Sequence, residues 1–298
     1  MTASAREALE AVRPLLEARP LLLVSDFDGT LSQINLDPWA ARMLPLAQRA
    51  LRRLAGIGGV HVAILSGRTA ADVAARSRIG GATYLGNHGV ERGALVRRQR
   101  ATGMAVEIAA VDPLLTAAAE RLAIEVPVLV PEPWLVVERK GSSVAFHYRG
   151  APDVDAAGAR VRAAVERLDP GHLLQRFPGR RVMELRPLGS PAKGDAMRRL
   201  LEEIAPRAAM VLGDDLSDAE AFVALREARE AGAVQGLALA VQARSEVPVG
   251  VTDAADLVLA SPTEAARFLS GVARAVVGQV PPPSANRDGS IRRVVSRS

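Results

Sequence analysis

Leu21-Leu22-Leu23-Val24-Ser25-Asp26-Phe27-Asp28-Gly29-Thr30-Leu31 constrains this chain more than any other stretch. A short apolar run of strand length ends in two carboxylates one residue apart, and the two-residue period of extended chain turns both the same way off the strand end. Gly29 permits a sharp turn there, and in open α/β sheets the carboxyl edge is where ligands bind. Two acids this close repel each other unless a cation lies between them or one keeps its proton. Three readings are open: a hard-cation site, a carboxylate nucleophile beside a partner acid, and an acidic turn without chemistry, since Asp-Gly is frequent in turns.

The chain before and after this stretch alternates helix and strand. Residues 4–19 have the spacing of an amphipathic helix (Leu9, Val12, Leu15, Leu16), imperfect at Pro14. Pro45 to Leu54 reads as a second helix, stopped by Gly56, Gly58 and Gly59. Val60–Leu65 reads as a strand ending in Ser66-Gly67-Arg68, with Thr69 and Asp72 opening a helix. Free N–H groups and a hydroxyl at such a junction suit an anion, or serve as a plain N-cap. Tyr84 to Glu91 is a short strand entering a glycine-flanked loop that carries His88, where a histidine is more often a ligand or hydrogen-bonding group than packing.

From about 107 to 188 the texture changes to helix (112–124), strand pair (133–140 and 142–149), helix (153–168) and strands around 172–186, which reads as a separate small α+β domain. Val136, Glu138 and Lys140 share one strand face, His147 and Arg149 another, and Arg180, Glu184 and Arg186 a third. Such stripes are a solvated sheet face or, with both signs of charge on three strands, a surface that can exchange hydrogen bonds with sugar hydroxyls. After Pro187 the alternation returns, with a helix opened by Pro191-Ala192-Lys193-Gly194-Asp195 and running to about Ile204. Ala208–Leu212 is a strand ending in Gly213-Asp214-Asp215-Leu216-Ser217-Asp218, followed by a helix from about Asp218, strands over Gly236–Val241 and Asp256–Ala260, and a helix over Thr263–Val276. Residues 280–298 are proline-rich and then basic, the composition of a disordered tail. No internal repeat is present.

Composition narrows the function classes. A chain of 298 residues, 49% hydrophobic, can bury a large core. The absence of cysteine excludes disulfides and thiolate metal sites and is compatible with the cytoplasmic location expected here. No apolar run approaches the ~20 residues of a membrane span and no signal-peptide pattern is seen, so no membrane partner is expected. The net charge of +5 could suggest nucleic acid, but four arginines against one aspartate put a net +3 in the last twelve residues. No aromatic-plus-basic platform accompanies them, and nucleic acid is not expected as a partner. Of 38 basic residues only Lys140 and Lys193 are lysine, which makes each compact ammonium notable.

Four chemical positions stand at strand or helix ends: Asp26/Asp28, Ser66, Lys193 and Asp214/Asp215. Right-handed crossovers in a parallel sheet bring all strand C-termini to one edge, where these groups can meet. Three carboxylates fit a hard cation such as Mg²⁺; a lysine, a serine hydroxyl and helix N–H groups fit a phosphate. The combination suits phosphoryl transfer, which rests on positioning and electrostatics. No GxxxxGK loop is present, so ATP is not the evident donor.

In their order, DFDGTL, Ser66-Gly67-Arg68, Lys193 and GDDLSD resemble the haloacid-dehalogenase-like phosphatases. More narrowly the chain resembles the trehalose-6-phosphate phosphatase family through GNHGVE (86–91), VERKGSSVAFHYR (137–149), GRRVMELRP (179–187), PAKG (191–194) and GDDLSDAEAF (213–222), over about residues 20–270. Ser217 stands where that family usually has threonine. The two textures predict hinges near 103–112 and 186–191 on which one domain opens and closes over the other, and the resemblance implies an α/β fold: a Rossmann-like core with a parallel sheet (1–106 and 189–279) plus an inserted α/β cap domain (107–188). It implies Mg²⁺-dependent hydrolysis of trehalose 6-phosphate, with Asp26 as nucleophile forming an aspartyl-phosphate and Asp28 as acid and then base. Thr30, Ser66, Gly67 and Lys193 would hold the phosphate. Asp26, the main-chain carbonyl of Asp28, Asp214 and Asp215 would serve the metal, with Asp218 nearby. Glu138, Lys140, Arg180 and Glu184 would meet the sugar, together with His88 and Arg149. The expected partner is a small disaccharide phosphate and the expected state a monomer. Sucrose phosphate or a glycosylglycerate phosphate would suit the same mixed-charge face, and a non-catalytic sugar-phosphate sensor is the alternative outside enzymes.

Overall fold

Every residue of Leu21–Ser25 is buried, because this strand has sheet neighbours on both edges and helices on both faces. The computed structural model describes residues 2–35, 37–98, 101–108, 112–179, 181–243 and 247–279. In chain order the first elements are α1 (Ala5–Val12), β1 (Leu21–Ser25), α2 (Pro45–Ala55), β2 (Val60–Leu65), α3 (Ala70–Ser77), β3 (Thr83–Gly86), β4 (Glu91–Arg98) and β5 (Ala101–Ile108). The middle of the chain forms α4 (Pro113–Leu129), β6 (Val136–Lys140), β7 (Ser143–His147), α5 (Val154–Leu168), β8 (Leu174–Gly179) and β9 (Val182–Pro187). The last part forms α6 (Lys193–Ile204), β10 (Ala208–Gly213), α7 (Leu216–Glu230), β11 (Gln235–Val241), α8 (Val249–Ala254), β12 (Leu257–Leu259) and α9 (Pro262–Gln279).

The large sheet runs β12-β11-β10-β1-β2-β3-β4-β5, parallel as far as β3 and antiparallel over the last two strands. Leu21 and Leu23 enter an apolar cluster on one face with Leu51, Phe268 and Val272, while Leu22 and Val24 enter a cluster on the other with Met197, Phe222 and Leu225. That split is the two-residue strand period expressed as two cores. Strand order grows outward in opposite directions from the β1–β10 pair, which creates the crevice where open α/β sheets bind ligands.

The helix expected over 4–19 is shorter. A Ser4–Glu7 capping box starts α1, but Pro14 has no N–H to donate, so the helix ends at Val12 and Arg13–Leu15 is a 3₁₀ turn. The β4–β5 hairpin and α8 were not anticipated. β5 continues the large sheet to Ile108, and the second sheet begins only after α4.

That second sheet, β6-β7-β9-β8, is antiparallel. Val144, Phe146, Met183 and Leu185 pack against Leu122 of α4 and Val161 of α5. The alternate residues Glu138, Lys140, His147, Glu184 and Arg186 take the opposite face. Ala145 pairs with Glu138 on one side and Glu184 on the other, so a single methyl group separates two carboxylate-bearing positions. No described helix is long and apolar enough to cross a membrane. Phe268, fully buried on α9 between α1 and α2, tests the larger core: Phe268→Ala is expected to cost about 3–5 kcal/mol, read as a lower urea midpoint with an unchanged slope.

Candidate active site

β1 and β10 lie side by side and end together, and the N–H of Asp26 continues the pairing by donating to the carbonyl of Leu212 at 2.9 Å. Asp26 and Asp214 therefore leave the sheet at one edge. Lys193, the first residue of α6, places its Nζ 2.7 Å from Asp26 Oδ1 and 2.7 Å from Asp218 Oδ1. The other oxygen of Asp218 accepts from the N–H groups of Asp214 (2.9 Å) and Asp215 (3.1 Å), fixing the turn that presents them. Asp215 caps α7, accepting from the Ser217 N–H at 2.9 Å and its hydroxyl at 2.7 Å, a task for which serine serves as well as threonine.

Two glycines let the acids close up. A Cβ on Gly29, where φ is +84°, would lie 2.3 Å from Asp214 Oδ2, and one on Gly213 would lie 2.2 Å from the carboxyl carbon of Asp218. With those Cβ atoms absent, oxygens of Asp26, Asp214 and Asp218 lie within 4.8 Å of one another. Burial pushes Asp26 well above the ordinary carboxylate range; the charges of Asp218, Asp215 and Asp28 add to this and Lys193 only opposes it. Burial pushes Asp214 the same way, helped by Asp26, and raises Asp218 to about 6 against the pull of Lys193. Burial works against the charge on Lys193, but Asp218 and Asp26 outweigh it and hold the ammonium well above its usual range. One ammonium among four acids leaves the cluster short of positive charge, and an all-oxygen donor set of this kind fits a hard divalent cation.

Asp28 points elsewhere. Both of its oxygens are taken by Arg68, Nε at 2.6 Å and Nη2 at 2.8 Å, while its side chain remains 41% exposed. Arg68 lies over the Phe27 ring at 5.7 Å. Of the expected phosphate ligands, Ser66 is buried and its hydroxyl accepts from the Arg68 N–H at 3.2 Å. The Thr30 hydroxyl is buried with no hydrogen-bond partner among the described residues. The carbonyl of Gly67 accepts from Lys140 Nζ at 2.9 Å, so the second sheet touches the loop after β2 directly.

Around that contact lies a second charged cluster. Lys140 Nζ also donates to Glu184 Oε1 at 3.0 Å and lies 3.7 Å from Glu138 Oε2. His147 Nε2 lies 2.8 Å from Glu138 Oε2. Burial opposes ionisation of Glu138, yet Lys140, His147 and Arg68 hold it down at about 2; against the same burial, Lys140, His88 and Arg186 hold Glu184 well below the carboxylate range. His88, in the left-handed region at φ +58°, has its Nε2 2.6 Å from Arg186 Nη2 and 3.2 Å from Glu184 Oε2. A guanidinium can only donate, so Nε2 accepts from Arg186 and the ring proton belongs on Nδ1, which is buried without a hydrogen-bond partner among the described residues. Burial first, then Arg186 and Lys193, lower His88 to about 4, with Glu184 opposing. Arg186 also donates to Glu184 at 2.8 Å and stacks over Phe177 at 4.1 Å. Arg149 reaches the carbonyl of Asn35 at 2.8 Å. Arg180, the 280–298 tail and part of the expected 103–112 hinge lie outside the described residues. Arg68, His147 and Arg186 were not among the expected site residues; the one sequence signal for them was a place in, or on the same strand face as, a motif already singled out.

Comparison with known proteins shows the family. A profile of the trehalose-phosphatase family matches residues 24–250. The trehalose-phosphate phosphatase of Mycobacterium avium (strain 104) is 37% identical over 274 residues, covering 90% of this chain and 66% of the relative. That of Mycobacterium bovis (strain BCG / Pasteur 1173P2) is 40% identical over 212 residues, covering 70% of this chain and 52% of the relative. The chain thus spans between about half and two thirds of the length of these relatives. The solved C-terminal domain of Candida albicans trehalose-6-phosphate phosphatase shares the fold, with a TM-score of 0.68 at 23% identity over 88% of this chain and 96% of that one.

Two outcomes follow from the clusters. Gly29→Ala would push a methyl group into the Asp214 carboxylate, so a hard divalent cation at millimolar concentration is expected to raise the melting temperature of the native protein and leave that of the variant unchanged. His88 titrates near 4 when folded and near ~6.5 when unfolded. The unfolded chain therefore takes the proton first, and stability is lost as pH falls from 6.5 towards 4. The native protein should lose roughly 3 kcal/mol more over that interval than His88→Asn, measured by urea unfolding at each pH.

Proposed function

The chain belongs to the trehalose-phosphatase family, and from that premise we propose that it is a phosphoric monoester hydrolase that converts trehalose 6-phosphate to trehalose and phosphate in the cytoplasm. The observation that carries the reading is the Lys140 bridge: one ammonium bonded both to the Gly67 carbonyl, beside Ser66, and to the Glu184 carboxylate. It sets a buried mixed-charge surface of the kind sugar hydroxyls need against the loop proposed to take the phosphate. Residues 107–188 are the proposed specificity cap and 1–106 with 189–279 the core, the cap swinging on segments near 103–112 and 186–191.

In the first step an Asp26 oxygen attacks phosphorus, the bond from phosphorus to the sugar oxygen breaks, and Asp28 gives its proton to that oxygen. In the second, Asp28 takes a proton from water, the water oxygen attacks phosphorus, and the bond to Asp26 breaks, returning its carboxylate and releasing phosphate. The proton that Asp28 takes from water restores the acid form it needs for the next turnover. Lys193, the unpartnered Thr30 hydroxyl, Ser66 and Gly67 hold the phosphate oxygens. Asp26, the Asp28 carbonyl and Asp214 would hold Mg²⁺, with Asp215 and Asp218 behind them; when bound, it supplies the charge that lets an anionic carboxylate approach an anionic phosphate. Glu138, Lys140 and Glu184, with His88, Arg149 and Arg180, orient the disaccharide.

Phosphate release across a panel of trehalose, sucrose, glycosylglycerate and glucose phosphates, with Mg²⁺ and with a chelator, tests this. Trehalose 6-phosphate is expected to turn over fastest, the chelator to stop it, and Asp26→Asn to lower it by at least about a thousandfold. Turnover of trehalose 6-phosphate no faster than glucose 6-phosphate would overturn the substrate, and full activity in Asp26→Asn would overturn the nucleophile.

A further inference from the structure

Asp28 is one end of a line of ion pairs that leads away from the site. Arg68, only 7% exposed, grips both Asp28 oxygens and donates from Nη1 to Asp72 Oδ2 at 2.9 Å. That same oxygen accepts from Arg76 Nε at 2.8 Å. Arg76 Nη1 then donates to the carbonyls of Trp39 (2.9 Å) and Ala41 (2.8 Å), in the segment between β1 and α2. Asp72 and Arg76 stand one turn apart on α3, whose N-terminus is fixed by the Thr69 hydroxyl accepting from the Asp72 N–H at 3.2 Å. The line therefore has a rigid helix in its middle, the reacting carboxyl at one end and a loop at the other.

The side chains of Arg68 and Arg76 are mostly withdrawn from water, with 7% and 10% exposure, and the Asp72 side chain is 26% exposed, so these pairs are less screened than surface pairs. Asp72 Oδ2 is shared by two guanidinium groups. Without Arg76 that oxygen loses one of its two guanidinium partners, and Arg68 can rotate towards it and draw Asp28 along. Without the Asp72 charge, Arg68 loses one of the two carboxylates that set its plane. A carboxyl that must reach a leaving oxygen and then a water tolerates little displacement; on the order of 1 Å can cost ~100-fold in rate.

We propose that Asp72 and Arg76 are positioning residues of the reaction, fixing the Asp28 carboxyl through Arg68 and tying its orientation to the 37–41 loop. This rests on the acid–base role given to Asp28 above. Neither residue belongs to the groups proposed to hold the phosphate or the sugar, so their loss affects the steps that need Asp28 and leaves binding alone.

Arg76→Gln and Asp72→Asn, the latter preserving shape, are compared with the native protein and with Asp28→Asn on trehalose 6-phosphate and on p-nitrophenyl phosphate. Both positioning variants are expected to lose about 10- to 100-fold in kcat on the sugar phosphate, with KM changed less than about twofold. p-Nitrophenolate leaves without a proton, whereas hydrolysis of the aspartyl-phosphate still needs a base. The variants should therefore release one p-nitrophenolate per active site in a rapid burst before a slow steady state. Native kcat in both variants, or a loss of kcat with no burst, overturns the proposal. If Asp28→Asn shows the burst and the two variants do not, the positioning role alone fails. If Asp28→Asn turns over like the native protein, the acid–base reading fails and the proposal falls with it.

Discussion

The interaction on which the rest depends is the buried ammonium of Lys193 between Asp26 and Asp218. Three carboxylates gathered at the end of a parallel sheet would otherwise push one another apart, because burial strengthens their repulsion and removes the water that could moderate it. Lys193 answers part of that charge from the first turn of α6, and Asp218 spends its remaining oxygen on the N–H groups that shape the Asp214 turn. Backbone, countercharge and acid are thus one unit. Replacing the lysine alone would leave buried anions uncompensated, the costly half of breaking a buried ion pair.

A second unit faces it with the same logic at different chemistry. Glu138, Lys140, His147, Glu184 and Arg186 are enclosed on one face of the small sheet, every charge answered by an opposite one within reach. Strand alternation places the apolar partners of these residues against α4 and α5, so the sheet is solvent-like on one side only in composition, not in exposure. Lys140 joins the two units through the Gly67 carbonyl, and the close contact of Gly67 with the His88 ring, where a Cβ would lie 2.9 Å from Nε2, leaves no room for a side chain there.

Much of this could be read from residues before any coordinates. Asp26 and Asp214 stand where strand period and glycine positions put them, at the ends of two strands whose parallel order follows from helix–strand alternation, whereas Asp28, expected to turn the same way as Asp26, lies beyond the end of β1 and is drawn aside by Arg68. The early stop of α1 was visible in Pro14 but outweighed by the apolar spacing around it. The β4–β5 hairpin is not legible locally, since β4, with three arginines and a glycine in eight residues, lacks a clean alternation. Arg68 on Asp28 and Arg186 on His88 join residues 40 and 98 apart, and nothing local specifies which carboxylate or ring an arginine will choose among 36 of them.

That abundance of arginine has a further effect. Both lysines of the chain are enclosed in ion pairs, 7% and 2% exposed. Every positive side chain on the outer surface that does not titrate near neutrality is consequently a guanidinium, which enzymes and reagents directed at primary amines leave untouched. Acetylation, ubiquitination or amine crosslinking at a lysine side chain has no peripheral place to act on this molecule, and could occur only by opening the two clusters that hold it together.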